Sequence, residues 1–123
     1  MSDRAARGMA YQELTKVDRE HPQLAKVMGQ DIVGKKLKAP LAKYEYVYAL
    51  PMTTISMTKG TGIVTSVPSD SPADFVMLRD LKKKPDWYKI QPEWVNDFEP
   101  VPIIEIPGMG NICAQVAVES RKI

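Results

Sequence analysis

The sequence holds one cysteine, Cys113, and one histidine, His21, among 123 residues. A lone thiol excludes an intrachain disulfide framework and any multi-cysteine zinc site, and a lone imidazole excludes a histidine-rich metal centre. His21 stands beside Pro22 in a polar stretch with no partner visible in the sequence, so Ser-His-Asp or Cys-His catalysis has no support. An excess of charge is missing too. Seventeen Lys+Arg against 15 Asp+Glu leave +2, too little to select a partner by net charge. No apolar run nears the roughly 20 residues that span a bilayer. The opening Met-Ser-Asp-Arg carries no apolar signal core. We therefore expect a soluble, cytoplasmic protein of a reducing compartment with no membrane partner.

What is present suits one domain. A chain of this length buries roughly two-thirds of its unfolded surface, enough for a single core. Its 44% hydrophobic and 26% charged residues lie near the average for folded domains. We expect residues 1–123 to form one domain. No internal repeat or low-complexity tract interrupts it, and the ten prolines fall mostly between predicted elements.

The pattern predicts a helix over residues 3–14, weakened by Gly8, then a charged turn over 15–22. Residues 23–28 read as a short strand or helical turn closed by Gly29, and residues 31–38 as a strand broken at Gly34. Residues 44–50 (YEYVYAL) and 63–67 (IVTSV) are rich in aromatic and β-branched side chains and predict strands, ended by Pro51 and Pro68. Residues 59–62 predict a turn. Ser71-Pro72-Ala73-Asp74 combines a capping serine, a proline at the first helical position and an acid three residues after the cap. Phe75, Leu78 and Leu81 follow at helical spacing with Met77 beside them, and Pro85 ends the run, which predicts a helix over 72–84. Beyond it we expect an ordered, packed loop over 85–100 with one helical turn, in which Trp87, Tyr88 and Trp94 either stack on unpaired bases or, more commonly at this spacing, form satellite core. A strand over 101–106 follows, confined to an edge by Pro102, then a turn over 107–110 and a helix from Asn111 to about Ser120. Met52, Met57 and Met77 read as core filler and Cys113 as a small buried hydrophobe.

The run from Lys59 to Asp74 carries the chemistry. Gly60 and Gly62 let backbone approach a ligand. Thr61, Thr65, Ser66 and Ser69 offer hydroxyls, and a helix start supplies unsatisfied N–H groups. Such a crevice suits an ester or a ribose; it is no Walker loop, since G-x-x-x-x-G-K-[ST] is absent. Two readings of Asp74 stand open. Its carboxylate either reaches back to the Ser71 N–H and completes the capping box, or faces a pocket and binds an ammonium group. Asp70 reads as a turn or cap residue. Arg79, Lys82, Lys83 and Lys84 either contact phosphates or form a solvated last turn favoured by the helix dipole.

The string KGTGIVTSVPSDSP with Asp74, followed by LRDLKKK over residues 78–84, resembles the editing domain (connective peptide 1) of eukaryotic cytosolic leucyl-tRNA synthetases. Residues 48–52 (YALPM) and 101–107 (VPIIEIP) support the likeness, which covers residues 5–123. It implies an α+β fold, a β-rich barrel-like editing domain with short helices packed on it. It also implies hydrolysis of the aminoacyl ester of tRNA-Leu mischarged with isoleucine, methionine or norvaline. A second sieve is needed because a pocket discriminates one methylene by only about 1–3 kcal/mol. By the resemblance Asp74 binds the α-amino group, Thr65 shapes the side-chain pocket, Gly60, Thr61, Gly62, Val67, Pro68 and Ser69 lie near the terminal adenosine, and Lys59 is a further substrate-binding residue. The implied partners are the tRNA-Leu 3′ end and the rest of the synthetase chain. No metal or cofactor is implied for editing; ATP would serve only an aminoacylation site, whose H-x-G-H and K-M-S-K-S signatures are absent here. Relatives usually carry Ser-Pro-Asp-Asp where this chain has Ser71-Pro72-Ala73-Asp74, and the family's threonine-rich wall segment is not in these residues. The competing expectation is a non-catalytic fragment that holds tRNA through Arg79 and Lys82, Lys83 and Lys84.

Overall fold

The computed structural model of the chain describes residues 1–123. They divide into two compact units, one of Met1–Met28 with Met52–Thr65, the other of Gly29–Pro51 with Ser66–Ile123.

In the first unit the only regular element is α1, Asp3–Ala10. Ser2 caps it, its hydroxyl accepting the Ala5 N–H at 3.3 Å, and Asp3 places a carboxylate at the positive end of the helix. The helix stops four residues earlier than the pattern predicts, because Glu13 turns to a left-handed φ of 60°. Residues 11–20 fold back as turns: the Arg19 N–H donates to the Ala10 carbonyl, and Arg7 and Arg19 both lie over the Tyr11 ring. The His21 imidazole lies 3.4 Å from the Asp3 carboxylate. Residues 23–28 make neither strand nor helical turn. Leu24 there is 95% exposed. The Met57 side chain, expected as core filler, is exposed as well.

The second unit holds the larger core. A single turn, α2 (Gly29–Ile32), leads into β1 (Lys36–Lys38), which pairs antiparallel with β2 (Tyr46–Tyr48) in the register Lys36↔Tyr48, Leu37↔Val47 and Lys38↔Tyr46. The strand predicted over 31–38 is therefore half helical turn and half strand. Gly34 separates the halves, with φ of +80° and the Trp94 ring packed where a Cβ would stand. Trp94 stacks on Tyr48 with centroids 6.2 Å apart, and the Tyr44 hydroxyl accepts the Glu99 N–H at 3.0 Å.

The helix predicted over 72–84 is present as α3, Pro72–Lys83. It places Leu81 in a core with Ile90 and Val95, against which Val33, Leu50, Met77, Leu78, Tyr88 and Trp94 pack. The aromatic loop after it holds α4 (Pro85–Tyr88) and a 3₁₀ turn over Pro92–Trp94. Trp87 departs from the expectation: it is 80% exposed, while Tyr88 and Trp94 join the core. The last helix, α5 (Cys113–Ser120), begins two residues after Asn111 and has no side-chain cap. It buries Ala114 and Val118, one turn apart on one face, and packs against α3.

Two predicted strands are missing. Residues 63–67 and 101–106 form no ladder, and the latter contribute only an isolated bridge from Ile106 to Gly110. The chain is mixed α/β with one two-stranded sheet, and it contains no barrel. A helix closes its hydrogen bonds within itself, whereas a strand exists only beside another strand. No helix is long and apolar enough to cross a membrane.

Candidate functional site

The geometry around Asp74 starts from the turn that precedes α3. Val67 is its pivot. Its carbonyl accepts the N–H groups of Asp70 and Ser71 at 3.1 and 2.9 Å, and its own N–H donates to Asp74 Oδ2 at 2.9 Å. The Ser71 hydroxyl in turn accepts the Asp74 N–H at 3.3 Å. Half of the expected capping box is thus present. The other half is replaced, because the Ser71 N–H is already committed to Val67 and the carboxylate reaches four residues further back instead. One carboxylate oxygen is fixed by a backbone donor, which sets the orientation of the group. Asp74 is half-buried, and Oδ1 makes no hydrogen bond within the chain. Asp74 therefore serves as a helix-start residue with one oxygen still able to accept a donor.

Next to it, Ser69 is buried and its hydroxyl donates to Asp70 Oδ2 at 2.7 Å. The Ser69 carbonyl accepts the Ala114 N–H at 3.0 Å, which satisfies an orphan donor at the start of α5. Cys113 is half-buried rather than buried, its Sγ 3.7 Å from Asp70 Oδ1 and 3.8 Å from the Ser69 carbonyl. Asp70 is a turn residue, as its position predicts. Pro68 is half-buried and Val67 exposed.

The remaining candidates for substrate lie in the first unit. Gly60 and Gly62 adopt φ of +61° and +78°, a region that L side chains enter at a cost, so the turn itself accounts for both glycines. A Cβ on Gly62 would also stand 2.5 Å from Met57 Sδ. The Thr61 hydroxyl is used locally, donating to the Ile63 carbonyl at 2.6 Å. The turn is anchored to the helix start by the Ser2 N–H on the Thr61 carbonyl at 2.7 Å and by Arg4 on the Gly60 carbonyl at 3.2 Å. These anchors have a sequence signal only in part: Ser2 is a recognisable cap, but nothing local marks its N–H for a loop 59 residues away. Lys59 and Thr65 are exposed.

Of the four cations proposed for tRNA, Arg79 donates to the Ile123 carbonyl at 2.8 Å and pairs with Asp80, and Lys82 pairs with Glu99 at 2.5 Å. Lys83 and Lys84 are exposed at the end of α3. A shallow groove of about 230 Å³ runs past Phe75, Leu78, Arg79, Lys82 and Glu99 and does not include Asp74.

Solved structures with the same overall fold include editing domains of leucyl-tRNA synthetases. The connective peptide 1 domain GlLeuRS-CP1 superposes with a TM-score of 0.91 at 36% identity, covering 99% of this chain and 46% of that one. The editing domain of the P. falciparum cytosolic leucyl-tRNA synthetase gives 0.89 at 32%, covering 99% of this chain and 41% of that one. Among curated proteins, the cytoplasmic leucine–tRNA ligase of Pongo abelii is 50% identical over 125 residues, 99% of this chain and 11% of that ligase. No family model matches the chain. The chain belongs to the leucyl-tRNA synthetase family as part of its connective peptide 1 editing domain. It spans 11% of the length of the Pongo ligase and less than half of either solved domain.

Proposed function

We propose that this chain supplies part of a hydrolytic proofreading site that clears tRNA-Leu mischarged with isoleucine, methionine or norvaline. The observation that supports the reading best is the Asp74 carboxylate, held by the Val67 N–H through one oxygen and free to accept through the other. A carboxylate so fixed can take the α-ammonium of an aminoacyl ester by a charge-assisted hydrogen bond. Holding the ammonium positions the ester carbonyl, and positioning lowers the barrier by removing the entropy of encounter. Water then adds to the carbonyl carbon, assisted by a hydroxyl of the terminal ribose. The acyl carbon–oxygen bond breaks, the amino acid leaves as the free acid, and the ribose oxygen takes the proton. Asp74 forms no covalent intermediate, and the step uses neither metal nor ATP.

Thr65, and Lys59, Gly60, Thr61 and Gly62 before it, are assigned to the side-chain and adenosine contacts on the family likeness alone, as are Val67, Pro68 and Ser69. The resemblance also supports a cytoplasmic setting, tRNA-Leu and the rest of the synthetase as partners, and residues 1–123 as one portion of a domain whose barrel needs further strands. The test is deacylation of Ile-tRNA-Leu by the synthetase carrying this segment and by its Asp74→Ala variant. A loss of at least about 100-fold, on the order of 2.7 kcal/mol, is expected for a group that orients the reacting ester. Equal rates would remove the role of Asp74.

A second reading, a non-catalytic tRNA-holding segment, is favoured by the exposure of Lys83 and Lys84. It predicts tRNA affinity that falls with salt, lost on Lys83→Glu/Lys84→Glu, with no hydrolysis.

A further inference from the structure

Ser69 stands in the middle of the turn that aims Asp74, and it is only 1% exposed. The family likeness sets this residue beside the terminal adenosine, but a hydroxyl so buried reaches no ligand. It donates instead to Asp70 Oδ2 at 2.7 Å, and Asp70 Oδ1 faces Cys113 Sγ at 3.7 Å, so the carboxylate is turned toward the start of α5. The Ser69 carbonyl accepts the Ala114 N–H at 3.0 Å. Because α5 has no side-chain cap of its own, Ser69 supplies an acceptor that its first turn lacks. The bond that orients Asp74 needs such support. The Val67 N–H donates to Asp74 Oδ2 at 2.9 Å in an exposed position, where water competes for both groups. It forms only while the turn keeps that N–H in front of α3, and Ser69 is the buried residue that ties the turn to α5.

We infer that Ser69 is a positioning residue for the hydrolysis. Through Asp70 and the start of α5 it holds the turn over residues 67–71 in the shape that lets Val67 grip Asp74. The role rests on the proofreading reading and goes beyond it, because it gives Ser69 a task that involves no contact with substrate. A carboxylate released from Val67 still attracts an ammonium group, but it turns about its own bonds and no longer fixes where the ester carbonyl lies. A misplacement of about 1 Å in such a group can cost on the order of a hundredfold in rate.

The test is a double-mutant cycle on the deacylation of Ile-tRNA-Leu by the synthetase carrying this segment. Ser69→Ala is expected to slow deacylation about tenfold with Asp74 in place. With Asp74 already alanine the same change should cost less than about twofold, because a residue that acts through Asp74 then has nothing left to position. Asp70→Ala should match Ser69→Ala, whereas Asp70→Asn keeps an oxygen for the Ser69 hydroxyl and should hold the rate within about threefold of the parent. Hydrogen exchange of the Val67 amide in the full chain should quicken about fivefold in Ser69→Ala and Asp70→Ala, and far less in Asp70→Asn. Equal loss in both backgrounds would overturn the role of Ser69, since direct substrate contact or partial unfolding acts regardless of Asp74. So would an undiminished rate in Ser69→Ala, unchanged exchange at Val67, or equal losses for Asp70→Asn and Asp70→Ala. Full activity of Asp74→Ala alone is the distinct result that removes the proofreading role of Asp74, and the role of Ser69 with it.

Discussion

The turn from Val67 into α3 and the run over residues 101–105 differ in where their backbone groups find partners. In the first, Val67 uses its N–H and its carbonyl three times over, Ser71 caps the helix, and α3 bonds within itself. In the second, five consecutive residues bond to nothing in the chain. Both stretches have the right composition for their element, but a helix brings its own acceptor four residues away and a strand must borrow one.

That contrast can be broken or sharpened by substitution. Leu81→Ala removes a fully buried side chain of α3 and should cost about 3 kcal/mol in urea unfolding, the ordinary range for such a cavity. A cost under about 1 kcal/mol would mean that the core around α3 is loosely packed. Gly34→Ala, at a φ of +80° against the Trp94 ring, should cost about 2 kcal/mol, because strain and overpacking act together. Ser71→Ala should cost about 1 kcal/mol, read as a lower midpoint and faster amide exchange in the first turn of α3. Ile103→Thr should move the stability of the isolated chain by less than about 0.5 kcal/mol, since the side chain is exposed and its backbone unpaired. If Ile103→Thr proves as costly as Ser71→Ala, the two stretches are not the opposites described here.

The same division decides what could be read from the sequence. Ser71, Pro72 and Asp74 announce α3 to within one residue because caps and proline act locally. The strand β2 is legible at Tyr46, Val47 and Tyr48, but its pairing with β1 is not, and the break at Gly34 proves to be a turn between helix and strand. Residues 63–67 and 101–106 carry the β-branched signal, but composition does not supply the partner strand that a ladder requires, and they form none. At the candidate site Asp74 was legible and its partner was not. Nothing about a valine seven residues earlier marks its N–H as the group that holds the carboxylate, since that bond depends on the turn over 67–71 closing first. The hydroxyls of Thr61 and Ser69, which the sequence offers to a ligand, are each committed to a neighbour, Ile63 and Asp70.

The two tryptophans divide the same way and furnish a built-in optical gauge. Trp94 is stacked on Tyr48 and packed at Gly34, while Trp87 stands 80% in water one short helix earlier. Replacing Trp87 by phenylalanine leaves a single indole whose emission shifts to longer wavelength only when the second unit opens, so the melting of that unit can be followed in real time without a label.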